Sequence, residues 1–242
     1  MIQSCAGLVT RTQQNMANLL LFDIDGTLVS THGIPRQAMS TVLKRRFPGF
    51  VYDTGYNFSG RTDWEIVEHL LRFDKRPVDD ALVHNVLEEF AAELDIVLKN
   101  GRHPLIYPGV ISLLEILQQM SSVSLGLVTG NIEEGARIKL RRAGLDHFFQ
   151  VGGFGNDSNN RDDLPPLAIA RAEEYFNRSF ERKNIWVIGD SLFDIRCAKN
   201  NDLRSLAVAT GWTDYEDLKS AGPDHITRDF SDVKSIVDIL TI

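Results

Sequence analysis

The chain has 242 residues, 43% of them hydrophobic and 24% charged, with a formal net charge of −7. That length suits one large domain or two small ones, and the composition is that of an ordinary folded globular protein. The acidic balance argues against a general nucleic-acid or membrane surface, which needs basic patches; it still admits a small anionic substrate held by a few local cations or a metal. Cys5 and Cys197 make neither a disulfide framework nor a zinc spacing, and the histidines contain no metal-binding pair at i, i+4. No apolar run reaches transmembrane length, and the first eighteen residues lack the apolar stretch of a signal peptide, so the cytoplasm is the expected compartment.

Residues 1–17 read as an N-terminal extension. The stretch LLLFDIDGTLV (19–29) then opens as a strand apolar on both faces, as a parallel sheet covered by helices requires. Asp23 and Asp25 interrupt it. An unpaired buried carboxylate costs several kcal/mol or takes up a proton, so the two aspartates belong just past the strand's carboxyl end, facing a cation or a reaction. The competing reading is an Asx-rich turn, since Asp-Gly is a common turn pair.

Residues 36–47 look helical, with Pro35 suited to a first turn. Thr62 and Glu65 have the spacing of a capping box ahead of a helical face of Ile66, Val67, Leu70 and Leu71. A longer helix over 79–99 repeats apolar residues at helical spacing, which is core packing. Beyond residue 108 helix and strand alternate: helix 109–120, strand 123–129, a helix capped by Asn131 with Glu134 at its third position and closed by Gly144, a short strand within 148–155, helix 164–177, strand 184–190, helix 192–200, strand 205–210 and helices 214–220 and 231–240. Such βα alternation predicts an α/β fold, a doubly wound parallel sheet with a Rossmann-like core formed by 18–31 and 108–242, and a helical cap, 32–107, inserted after the first strand. In such sheets the working crevice lies outside the carboxyl ends of the strands. There this chain puts Asp23 and Asp25, then Thr129, Gly130 and Asn131, then Gly189, Asp190 and Ser191 with Asp194.

Those residues resemble the haloacid dehalogenase-like hydrolases, through DIDGTL (23–28), LVTGN (127–131), Arg161 ahead of a helix and GDSLFD (189–194). Order and spacing match from residue 18 to about 215, and the insert sits where that family carries a cap. Among members with a small helical cap the chain is similar to phosphoglycolate phosphatases. The resemblance implies that Asp23 attacks phosphorus and forms an aspartyl phosphate, with Asp25 as acid and base. It also implies Mg²⁺ held by Asp23, the Asp25 main-chain carbonyl and Asp190, with Asp194 orienting a metal-bound water or ligating. Phosphoryl transfer independently needs a nucleophile, a cation and donors for the spread charge. Thr129, Gly130 and Asn131, at a helix start, suit phosphate oxygens. Thr27 and Ser191 read as residues that shape loops.

Arg161 departs from the family's usual lysine, and the alternative for it is a solvated loop arginine. Arg61, in GRTD (60–63), is placed to meet a second anionic group on the substrate or else to be an exposed arginine at a helix start. The expected function is an Mg²⁺-dependent phosphatase of a small phosphorylated metabolite. A sugar-phosphate mutase of the same superfamily is the alternative, and a non-catalytic binding protein on this fold a more distant one. A dehalogenase would not need Asp25, and no cap lysine among Lys44, Lys75 and Lys99 suits a phosphonate-cleaving Schiff base. No nucleic acid or membrane is expected as a partner, with a monomer as the default and a dimer as the alternative.

Overall fold

The structure, a computed structural model, describes residues 17–101 and 103–241. The expected extension lies outside the described residues except for Ala17, which is buried beside the sheet. Five-residue β1 (Asn18–Phe22) is the hub. It pairs in parallel with β4 (Val123–Val128) on one side and β6 (Ile185–Gly189) on the other. The sheet extends through β5 (Gly152–Gly153) at one edge and through β7 (Arg204–Val208) to β8 (His225–Thr227) at the other. Its order is β5-β4-β1-β6-β7-β8, with every pairing parallel.

The alternation of a strand decides which layer each β1 residue joins. Leu20 and Phe22 meet a cluster that includes Trp186, Leu127 and helices α4 (Val110–Gln118), α5 (Glu133–Ala143) and α9 (Val233–Leu240). Leu19 and Leu21 meet the opposite layer, with α6 (Leu164–Phe176) and α7 (Leu192–Asn200). All four β1 side chains are fully buried, which is why the run is apolar without a break.

The chain leaves the sheet through β2 (Val29–Ser30) and returns through β3 (Leu105–Ile106), paired antiparallel as a two-stranded neck. Between them α1 (Ile34–Arg46), α2 (Asp63–Phe73) and α3 (Asp80–Asn100) pack around a second core. That core also takes in Ile132 and Ile138, so the helical insert is seated on α5.

Two expected caps differ. Thr62 accepts from the Glu65 N–H, but the Glu65 carboxylate pairs with Arg61 and does not close a reciprocal box. At α5 the N-cap position is Ile132, with no side-chain cap of its own. Asn131 is drawn into the crevice, and the free amides of Ile132 and Glu133 donate to Asp63 and Asn156 instead. Tertiary partners outcompeted the local cap. The short final strand β8 and α8 (Tyr215–Ser220) complete the edge; His225–Thr227 carries no apolar alternation and was not expected as a strand.

Candidate active site

The DIDGT loop (23–27) follows β1 directly, and its shape comes from backbone bonds: the N–H groups of Leu28 and Val29 both donate to the Ile24 carbonyl. Gly26 takes φ +88, and a Cβ there would fall within the Asp190 carboxylate, so the loop and β6 close on each other only because that side chain is missing. Thr27 donates across this contact to Asp190 Oδ1 at 3.3 Å. Its hydroxyl therefore steadies an aspartate distant in sequence, where a turn-shaping role was expected.

Asp23, Asp190 and Asp194 each present a carboxylate oxygen within 4.8 Å of the others, and all three are buried. Arg161, held in a 3-10 turn ahead of α6, is the buried cation among them. Its Nη2 donates to Asp23 Oδ1 at 3.1 Å and to Asp194 Oδ1. Burial works against its charge, but Asp194 and Asp23 more than compensate and hold it firmly protonated. The solvated-loop alternative for Arg161 is thereby excluded. Asp194 has both oxygens engaged, Oδ1 by Arg161 and Oδ2 by the Ser191 N–H and hydroxyl, which together cap α7. Its geometry is that of a residue that aims Arg161.

One arginine among three buried carboxylates leaves negative charge in excess. Burial, opposed by Arg161, raises Asp23 to about 6, and burial next to Asp23 and Asp194 lifts Asp190 well above the usual carboxylate range. A buried all-oxygen donor set with surplus negative charge fits a hard divalent cation, which Asp23, Asp190 and Asp194 could hold between them.

Asp25 lies on the other side of the loop, and its surroundings differ. Burial would raise its pKa, but the Lys139 ammonium and hydrogen bonds from Lys139, Asn131 and Thr31 outweigh that and bring it below the ordinary value. Thr129 is fully buried; its Oγ1 accepts from the Asn131 side-chain amide at 2.7 Å and from its N–H at 3.3 Å. Gly130 does admit a close approach, but by the insert: a Cβ there would collide with the Arg61 carbonyl, and the Asp63 N–H donates to the Gly130 carbonyl at 2.7 Å.

These groups open onto a cavity of about 530 Å³ between sheet and insert. Asp23, Asp25, Asn131 and Arg161 line its floor, while Arg36, Tyr56 and Arg61 come from the insert. Trp212, at the rim, is 88% exposed. Arg61 does reach this cavity, but its guanidinium pairs with Glu65, donates to the Asn57 carbonyl at 3.1 Å and lies over Tyr56 and Phe193. Thus the cavity gathers Asp23, Asp25, Gly130, Asn131, Arg161 and Arg61; Thr129, Asp190 and Asp194 stand behind its lining. Sequence reasoning missed Lys139 and Asp63. Lys139 is three residues after Ala136 and seven after Ile132, on the core-facing stripe of α5, which was a readable signal for a buried lysine.

The family described as haloacid dehalogenase-like hydrolase matches residues 20–208. A protein named pyrophosphatase PpaX from Oceanobacillus iheyensis is 26% identical over 226 residues, covering 90% of this chain and 95% of that protein. A phosphoglycolate phosphatase from Agrobacterium fabrum is 25% identical over 224 residues, 91% of this chain and 92% of that one. Among solved structures, CbbY from Rhodobacter sphaeroides in complex with phosphate aligns with a TM-score of 0.73 at 19% identity, covering 90% of this chain and 96% of that one. A hydrolase from Pseudomonas syringae aligns with a TM-score of 0.69 at 20% identity, over 93% and 100%.

Proposed function

This chain belongs to the haloacid dehalogenase-like hydrolases, and we propose that it is an Mg²⁺-dependent phosphatase of a small phosphorylated metabolite, working through an aspartyl phosphate. The observation that carries the reading is the contrast between the two loop aspartates. Asp23 sits with Asp190 and Arg161 where a phosphoryl group would be met; Asp25 sits apart, hydrogen-bonded on both oxygens. One carboxylate is arranged to attack and the other to move protons.

In this reading the Asp23 carboxylate attacks phosphorus while the Arg161 fork stabilises charge on the transferring oxygens. Asp25, ionised in the free protein, takes a proton from the incoming phosphate monoanion, gives it to the departing oxygen and later takes one from the water that attacks the aspartyl phosphate. Bound Mg²⁺, held by Asp23, Asp190 and the Asp25 carbonyl, would shield the substrate's negative charge from the attacking carboxylate. Asp194 keeps Arg161 aimed, and the Gly130 backbone at the cavity wall is left to meet phosphate oxygens, while Thr129 and Asn131 brace Asp25 from behind. The cavity volume suits a metabolite of modest size. Relatives named pyrophosphatase and phosphoglycolate phosphatase support a small phosphorylated substrate that carries a second anionic group. Arg61 is the residue we assign to such a second anion, exchanging Glu65 for it on binding.

The test is a panel of phosphorylated metabolites and pyrophosphate, assayed for phosphate release with Mg²⁺ and with chelator. Release on at least one small substrate that stops on chelation is expected. No release across the panel with Mg²⁺ would count against a phosphatase.

A further inference from the structure

Lys139 is a buried cation for which the reaction so far has no use. It lies mid-helix on α5, and its side chain is 2% exposed. Seating an ammonium inside a protein is costly unless it is paired, and an apolar residue of similar length would complete the same helix face. Its partners explain it. Nζ donates to Asp25 Oδ2 at 2.5 Å and to Asn131 Oδ1. With its oxygen turned to Lys139, the Asn131 amide must present Nδ2 the other way, and it donates to the same Asp25 Oδ2 at 2.9 Å and to Thr129 Oγ1 at 2.7 Å. Asp25 Oδ2 thus carries two donors. Oδ1 takes one, from the Thr31 hydroxyl at 2.9 Å, and the Asp25 side chain remains 34% exposed toward the cavity.

We propose that Lys139 is a positioning residue, which with Asn131 clamps Oδ2 of Asp25 so that Oδ1 faces the oxygen that gains or loses a proton. This rests on the phosphatase reading above. In the first half-reaction an Asp23 oxygen bonds to phosphorus, the bond from phosphorus to the leaving oxygen breaks, and that oxygen takes the proton from Oδ1 of Asp25. In the second, a water oxygen bonds to phosphorus, gives its proton to Oδ1, and the bond from phosphorus to Asp23 breaks to release inorganic phosphate. Both transfers use the same carboxyl oxygen, and a carboxyl free to rotate would present it only part of the time.

Leaving-group dependence separates positioning from mere support. p-Nitrophenolate departs without a proton, whereas an alkoxide needs one. Wild-type turnover of p-nitrophenyl phosphate and of an alkyl phosphate, β-glycerophosphate or whichever member of the panel is hydrolysed, comes first and tests the phosphatase reading by itself; failure on p-nitrophenyl phosphate and on the whole panel removes that reading and this one together. Given turnover, Lys139→Met should lose about 30-fold or more in kcat/KM on that alkyl phosphate and less than about threefold on p-nitrophenyl phosphate, since general acid catalysis is worth about 10²–10⁴-fold. Aspartyl phosphate should accumulate in Lys139→Met during p-nitrophenyl phosphate turnover, seen as added phosphoryl mass in acid-quenched protein. Lys139→Met placed on Asp25→Asn should cost no more than about threefold beyond Asp25→Asn alone, as expected of residues acting as one unit. Equal losses on the two esters, or losses that add fully to Asp25→Asn, would overturn the proposal. If Lys139→Met does not unfold cooperatively, Lys139→Leu, which likewise has no donor, is judged by the same comparisons.

Discussion

Asp23 is asked to be both ionised and buried, and the residues around it show how that conflict is met. Burial raises it to about 6, and Arg161 at 3.1 Å is the protein's own counter-charge. Asp23→Asn keeps the shape but removes the nucleophile and a cation ligand, so phosphate release should vanish while urea unfolding stays cooperative; near-wild-type release would end the aspartyl-phosphate mechanism. Asp190→Asn should act through metal affinity, with activity partly restored at high Mg²⁺, and indifference to metal concentration would count against Asp190 as a ligand. Arg161→Ala should raise the barrier by about 2–4 kcal/mol, as for the loss of a preorganised donor, and Arg161→Lys should recover part of that. Alanine at full activity would transfer the cationic role elsewhere.

At the scale of elements, the junction of α2 with α5 is where insert and sheet become one site. Asp63 opens α2 yet accepts from the Ile132 N–H at 2.9 Å, supplying the N-terminus of α5 with the partner its own sequence lacks. Burial raises Asp63 to about 6, with Lys139 opposing. Because its folded value lies above the unfolded one, folding is penalised as pH rises from about 4, and the penalty is complete above about 6. Asp63→Asn keeps the acceptor for Ile132 and removes the charge. It should stabilise the metal-free protein by about 2 kcal/mol at pH 8 and by nothing near pH 4, read as the difference between urea midpoints of variant and wild type. A gain unchanged across that range would show that ionisation of Asp63 is not its source.

For the whole molecule the choice is between hydrolysis and transfer. A mutase must protect its aspartyl phosphate until a second hydroxyl arrives, whereas a phosphatase lets water in. The insert and sheet enclose about 530 Å³, with the exposed Trp212 at the rim. Phosphate release above about one per second is expected on the true substrate, with sugar-phosphate isomer conversion negligible when both are followed in one reaction. Rapid isomer conversion with little free phosphate would reverse the assignment. Arg61→Ala should raise KM for a substrate carrying a second anion and scarcely change activity on p-nitrophenyl phosphate.

The strands that carry the chemistry were legible from sequence because they are buried on both faces: an unbroken apolar run ending in Asp23, or in Gly189-Asp190, has few other readings. The helices of the insert were legible from their 3.6-residue period, whereas the capping box that ties Ser191 to Asp194 was not read from GDSLFD. Residues whose partners lie far along the chain were not. Asn131 had the look of a helix cap until Asp25, 106 positions away, took its amide. Thr27 looked like a turn residue until Asp190, 163 positions on, took its hydroxyl. Lys139 shares the core-facing stripe of α5, which hints at burial, but its partner Asp25 lies 114 positions away and cannot be read from that stripe. Periodicity and burial are properties of a segment and can be read along it, but a buried polar side chain is satisfied by whatever the fold brings within about 3 Å, and only the tertiary structure decides that.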